Sequence, residues 1–239
     1  MIRAALFDVF GTVVDWRSGV AAAVAEAFAA KGRAVDAHAF ADAWRGEYQP
    51  AMERVRTGDR GYVPLDDLHF ENLGRVLAAF GCRGLFDEDE AWALNAAWER
   101  LPPWDDSPGG LARLREAMIV APCSNGSIAL MTRLSRHGGL GWDCILGADV
   151  ARIYKPHAQA YRRSVAALRL KPSEVVMVAA HGDDLAAARA EGLRTAFVPR
   201  PDEHGPGGAP DGRGEDWDFA AGDLGSLAAR LAAAAGQGR

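Results

Sequence analysis

Five short apolar runs recur along the chain, and four of them lead into polar residues capable of chemistry. The runs are Arg3-Ala-Ala-Leu-Phe-Asp8, Met118 to Cys123, Cys144 to Gly147, Val175 to Ala180 and Thr195 to Val198. Asp8 and Thr12 follow the first, and Ser124 and Asn125 the second. Lys155 follows the third, and His181 and Asp184 the fourth. Helical patterns separate the runs at Gly109 to Ala117, Ile128 to His137, Ala158 to Leu168 and Asp184 to Glu191. A short run that is apolar throughout suits a strand buried on both faces. Strand and helix in alternation predict an α/β fold, a Rossmann-like parallel sheet with helices on both faces. Ligands of such sheets sit beyond the carboxyl ends of the strands, where these polar residues fall.

Residues 15–98 break the rhythm, because they read as helices without strands. Ser18 is expected to cap a helix with Val20, Val24 and Phe28 on its apolar stripe and Gly32 as its stop. A second helix is expected from about Phe40 to Arg56. A third follows Pro64, with Leu65, Leu68, Val76, Leu77 and Phe80 on one side, and a fourth carries Trp92, Leu94 and Trp98. The segment reads as a helical cap inserted into a core made of residues 1–14 and 99–239. Pro102-Pro103 and Pro108 mark the return. Gly205 to Gly214 is rich in Gly and Pro and reads as a flexible loop, and Leu224 to Ala235 as a final helix. No internal repeat is seen.

Composition narrows the function. The chain of 239 residues is 49% hydrophobic and 25% charged, as expected of a globular protein with its own core. Its formal charge of −5 argues against nucleic acid as a partner. No run of about 18 apolar residues exists, so no membrane span is expected. Asp8 interrupts the first apolar stretch, and no cleavage-site pattern follows, unlike a signal peptide. Cys82, Cys123 and Cys144 are odd in number and far apart, which points to reduced thiols and a cytoplasmic setting. The histidines lack paired ligand spacing, so no zinc site is expected, and Ser124 lies outside a G-x-S-x-G elbow.

Taken in order and spacing, Asp8-Val-Phe-Gly-Thr12, Ser124-Asn125-Gly126, Lys155-Pro156 and His181-Gly-Asp-Asp184 resemble the four motifs of the haloacid dehalogenase superfamily. The likeness covers essentially the whole chain. Most members are Mg²⁺-dependent phosphatases, with a second Asp two residues after the nucleophile and an acidic metal ligand four before the Asp matching Asp184. This chain has Phe10 and Ala180 there. A hard divalent cation needs carboxylate oxygens, so the phosphatase reading weakens and no metal or cofactor is expected. Trp44-Arg45, Lys155 with Tyr161 six residues on, and Trp98-Glu-Arg-Leu-Pro-Pro-Trp104 resemble the metal-free type II L-2-haloacid dehalogenases. Ala179 and His181 depart from that group, whose better-known members carry Ser and Asn there.

The resemblance implies a hydrolase of short 2-haloacids. Asp8 would attack C2 and form an ester, while Lys155 keeps it ionised. Thr12, Ser124 and Asn125 would orient Asp8 or hold the substrate carboxylate. Arg45 would receive the halide. Phe10, Asn125, Tyr161 and His181 are expected around substrate or halide. A water held by Asp184, with His181, would cleave the ester. Because a halide leaves without a proton, a general acid at position 10 is dispensable. A compact pocket with both Arg45 and His181 would bring fluoroacetate within reach. A hydrolase of another activated 2-substituted acid, a Mg²⁺-dependent phosphatase and an idle organic-acid-binding scaffold stay open as alternatives. An apolar cap face would support a homodimer.

Overall fold

The structure, a computed structural model, describes residues 1–207 and 216–236. Six parallel strands form one sheet in the order β3-β2-β1-β4-β5-β6. They are β1 (Ala4–Phe7), β2 (Ile119–Ser124), β3 (Leu146–Gly147), β4 (Val175–Ala179), β5 (Arg194–Phe197) and β6 (Phe219–Ala220). All five expected runs contribute strands; β6 was not anticipated, because two residues carry no periodicity.

Side chains alternate across β1 and feed two cores. Ala5 and Phe7 face one core, while Ala4 and Leu6 face the other. The first core takes Leu111 and Leu114 of α6 (Ser107–Arg115), Leu130 and Leu134 of α7 (Ile128–Gly138), and Leu224, Leu227 and Leu231 of the last helix (Leu224–Gly236). The second takes Tyr161 and Val165 of α9 (Ala158–Ala167), and Leu185 and Ala188 of α10 (Gly182–Ala190). A single-turn helix, α8 (Ala148–Ala151), precedes α9. Both faces of the sheet are thus covered, as the uninterrupted apolar runs require.

Between β1 and β2 the chain is helical: α1 (Trp16–Ala30), α2 (Ala37–Gly46), α3 (Tyr48–Arg56), α4 (Leu65–Ala79) and α5 (Glu88–Asn95), then a 3₁₀ turn, Ala96–Glu99. Two expectations need correcting. The first helix is capped by Asp15, which accepts from the Ser18 backbone N–H, so Ser18 lies inside the helix. The span from Phe40 to Arg56 is two helices meeting at Glu47, and Asp36 caps the first. Val20, Val24 and Phe28 are buried as the stripe implied, in a core continuous with the first face of the sheet. Of the expected flexible loop, residues 208–215 lie outside the described residues. No helix among the described residues is long and apolar enough to cross a membrane. The three cysteines are unpaired.

Candidate active site

Strand register gathers the polar residues. Phe7 of central β1 pairs with Pro122 on one side and with Val178 on the other, so the three strands finish at a common edge. Asp8, Ser124, Asn125 and His181 then leave that edge within a residue or two of one another. At Gly11 the backbone turns with φ +86°, a conformation that suits glycine. The turn returns the Thr12 hydroxyl to Asp8 Oδ2 at 2.7 Å. Thr12 Oγ1 also accepts from the Ala180 N–H at 2.9 Å, which ties the turn to the end of β4.

Asp8 is held by three donors. Lys155 Nζ lies 3.0 Å from Oδ1, while Oδ2 takes Thr12 and, at 3.0 Å, His181 Nδ1. Burial alone would raise the Asp8 carboxyl, but Lys155 and His181 outweigh it and hold it well below the usual carboxylate range. Lys155 also donates to Asp184 Oδ2 at 2.5 Å, and Tyr161 donates to Asp184 Oδ1 at 2.5 Å. Burial would strip the proton from Lys155, yet the Asp184 and Asp8 charges more than reverse this, so it stays an ammonium. Asp184 is the more basic of the two carboxylates, since burial and the Asp8 charge raise it despite Lys155. Asn125 Oδ1 accepts from the Lys155 backbone N–H at 2.7 Å and so fixes the lysine's approach.

His181 is the N-terminal cap of α10, and its two ring nitrogens face two carboxylates. Nδ1 meets Asp8, and Nε2 lies 2.8 Å from Glu203 Oε2. Burial opposes charge on the ring, but both partners override it, and the histidine is raised well above its ordinary value of 6.5. Glu203 is 5% exposed, accepts from Trp16 Nε1 at 3.0 Å, and is lowered by His181 against the effect of burial.

A pocket of about 170 Å³ opens over these groups, lined by Asp8, Asn125, Lys155, His181, Asp184 and, from α2 and α3, Arg45, Tyr48 and Gln49. That is well below the roughly 300–1,000 Å³ that drug-sized ligands occupy. Its polar lining suits a small anion. The Arg45 guanidinium sits among rings, 4.0 Å from the Tyr48 centroid, 5.3 Å from Trp16 and 5.8 Å from Phe10. Its Nη1 is buried with no hydrogen-bond partner among the described residues.

Most residues singled out from the sequence therefore converge, though not all face the pocket. Tyr161 is fully buried beneath Asp184, its hydroxyl spent on that carboxylate, so substrate contact gives way to support of Asp184. Phe10 packs edge-on against Trp98 and under Arg45, away from the opening. Ser124 is fully buried and accepts from the Gly126 N–H. Cys123 lies behind the site, where burial pushes its thiol up to about 11, unsuited to a nucleophile. Sequence reasoning missed Glu203, Tyr48 and Gln49. It also missed Arg200, which donates to the Thr12 carbonyl and clamps Asp106 with both terminal nitrogens. A glutamate beside a Pro/Gly-rich loop carries no spacing signal; Tyr48 and Gln49 follow Arg45 closely enough to have been suspected.

The residues do not fit a divalent cation. Lys155 Nζ stands between the two carboxylates such an ion would bridge, position 180 is alanine, and no cluster of three ligating side chains occurs among the described residues.

Several of the proteins that the chain resembles are L-2-haloacid dehalogenases. The chain is 30% identical to an (S)-2-haloacid dehalogenase of Pseudomonas sp. (strain YL) over 83% of each chain. A crystal structure of a defluorinating L-2-haloacid dehalogenase shares 48% identity with a TM-score of 0.92, covering 96% of this chain and 95% of that one. The Xanthobacter autotrophicus L-2-haloacid dehalogenase, solved with chloropropionic acid covalently bound, superposes with a TM-score of 0.80 at 25% identity, over 97% and 98% of the two chains. The family model for haloacid dehalogenase-like hydrolases matches residues 2–192. With that match spanning the strand ends that carry Asp8, Lys155 and Asp184, the chain belongs to the haloacid dehalogenase-like hydrolase family.

Proposed function

We propose that the protein hydrolyses the carbon–halogen bond of short (S)-2-haloacids through an ester on Asp8. One observation carries the reading: an ionised, buried carboxylate and an unpartnered guanidinium line the same small pocket. The first is a nucleophile, and the second is a receptor for the anion displaced.

Attack by Asp8 on C2 forms a carbon–oxygen bond while the halide departs with the bonding pair. Arg45 meets the growing negative charge with N–H donors and a cation held in an aromatic cage. Asn125 Nδ2, without a partner among the described residues, is placed to hold the substrate carboxylate. Lys155 keeps Asp8 charged although burial disfavours it. Asp184, the more basic carboxylate, then takes a proton from the water that attacks Asp8 Cγ, while Tyr161 and Lys155 hold it in place. C2 is inverted once, so an (S) acid gives the (R) hydroxy acid. Fluoroacetate falls within the reading because fluoride needs close, strong donors, and the unpartnered guanidinium of Arg45 lines this small pocket. The similar structure at 48% identity is of a defluorinating enzyme, which supports this finer reading.

A single turnover in heavy-oxygen water, with enzyme in excess over (S)-2-chloropropionate, tests the route. Heavy oxygen should appear in the Asp8 peptide and be absent from the first product hydroxyl. Label in the product and none in Asp8 would mean that water attacks C2 itself.

A further inference from the structure

Gln49, Glu53 and Arg56 follow one another at helical spacing, which puts them on one face of α3. Arg56 is the hub of that face. Its Nε donates to Glu53 Oε2 at 2.6 Å and its Nη2 to Gln49 Oε1 at 3.1 Å, while its Nη1 reaches across to the Lys155 carbonyl at 2.9 Å. A guanidinium only donates, so the Gln49 oxygen must face it, and the amide nitrogen is left for another partner. Asn125 is fixed in the same sense, because its Oδ1 accepts from the Lys155 backbone N–H at 2.7 Å. Both amides line the pocket with their oxygens spent, so each offers the substrate a donor.

The groups on C2 of a 2-haloacid can be allotted to that lining. In-line displacement puts Asp8 and the departing halide on opposite sides of C2, with the halide toward Arg45. The carboxylate goes to Asn125. A branch at C3 is then left with Tyr48, Gln49, Pro156 and Asp183. Tyr48 is buried and its ring is covered by the Arg45 guanidinium, whereas Gln49, Pro156 and Asp183 are exposed. An alkyl branch there would bury little area, and it would shield the Gln49 amide from water without replacing the hydrogen bond. A hydroxyl can accept from Gln49 and donate to Asp183. That carboxylate takes the Asp184 N–H on Oδ1 at 2.8 Å and leaves Oδ2 unbonded among the described residues. A second carboxylate on the substrate would instead meet the Asp183 charge.

We propose that Gln49, oriented by Arg56, selects 2-haloacids that carry a neutral hydrogen-bonding group on C3, with 2-halo-3-hydroxy acids as the class. The inference rests on the ester route above and changes none of its steps. Asp8 bonds to C2, the halide leaves with the bonding pair, and hydrolysis of the ester releases a 2,3-dihydroxy acid. Gln49 touches the group on C3. Arg56 is a positioning residue that fixes which end of the amide faces the substrate. The same guanidinium holds the Lys155 carbonyl, so the helix that reads the branch is tied to the residue that bridges Asp8 and Asp184.

Two substrates of matched shape test this, (S)-2-chloro-3-hydroxypropionate and (S)-2-chlorobutyrate, which differ by a hydroxyl in place of a methyl. The quantity read is the ratio of their kcat/KM values for chloride release at neutral pH, in which any general loss of activity cancels. The wild type should favour the hydroxy acid about tenfold, as one neutral hydrogen bond implies. Gln49→Met keeps the length and loses the donor, and Arg56→Met lets the amide turn, so each should bring the ratio close to one. Purely structural roles would depress both substrates together and leave the ratio where it was. A wild-type ratio at or below one would overturn the proposal with no variant needed, and so would a wild-type preference that survives unchanged in either variant. Chloride release from neither of these acids nor from (S)-2-chloropropionate would instead refute the underlying dehalogenase reading.

Discussion

Replacing His69 with phenylalanine should remove an acid-labile element from the fold. His69 is 1% exposed, stacked on Trp98 with ring centroids 4.2 Å apart, and neither ring nitrogen has a hydrogen-bond partner among the described residues. Burial, and then the nearby Arg45 charge, hold it well below its ordinary value of 6.5, so the folded ring stays neutral where an unfolded one would take a proton. The sign follows from that depression. Stability is complete above the unfolded value and is lost as the pH falls below it, because the unfolded chain binds the extra proton. If the native ring stays neutral down to about pH 5, the loss between 6.5 and 5 comes to about 1.6 kcal/mol. Against a total of roughly 5–15 kcal/mol, that is readily measured. Phenylalanine preserves the stacking and deletes two unpaired nitrogens, so His69→Phe should match or exceed wild-type stability at neutral pH by up to about 1 kcal/mol. Denaturant unfolding of both proteins at several pH values isolates the residue, since every other titration is common to the pair and cancels. The two should converge above pH 7 apart from a constant offset, and separate progressively below. Parallel curves from pH 7 to 5 would refute the reasoning by showing that native His69 takes up its proton as readily as the unfolded one.

Arg45→Ala should cost about 3 kcal/mol of barrier in halide release, roughly a hundredfold or more in rate, for chloride and bromide alike, measured as the pre-steady-state burst. A deficit confined to KM would mean that Arg45 binds the substrate without following the departing charge. Exhaustive chelation should leave halide release unchanged, as expected where Lys155 bridges Asp8 and Asp184. Loss of activity in EDTA restored by Mg²⁺ would contradict this.

What could be read in advance was whatever rests on local pattern. The strands were legible because a strand buried on both faces leaves an uninterrupted apolar run, as Val175 to Ala179 does. Asp8, Lys155 and Asp184 were legible because a parallel sheet puts successive strand ends together. Boundaries decided by a single hydrogen bond were harder. Asp15 and Ser18 are both good caps, and only the geometry shows Asp15 as acceptor and Ser18 as donor through its backbone. Glu47, where α2 ends and α3 begins, is itself close to helical, so the break leaves no mark on composition. Tyr161 kept its spacing from Lys155, but spacing does not say whether a hydroxyl faces a pocket or a neighbouring carboxylate. Glu203 was invisible because its partners are set by tertiary packing alone.

The bond between Trp16 and Glu203 spans 187 residues, and the His181 contact closes on the same carboxylate. Synthesis runs from the N-terminus, so Asp8 emerges early and this glutamate late. Until the chain has grown past position 203 and the end of β5 has docked, the imidazole lacks its second carboxylate and Trp16 its acceptor. A nascent chain thus carries its nucleophile long before it holds a finished site, and only a chain grown past Glu203 can present one.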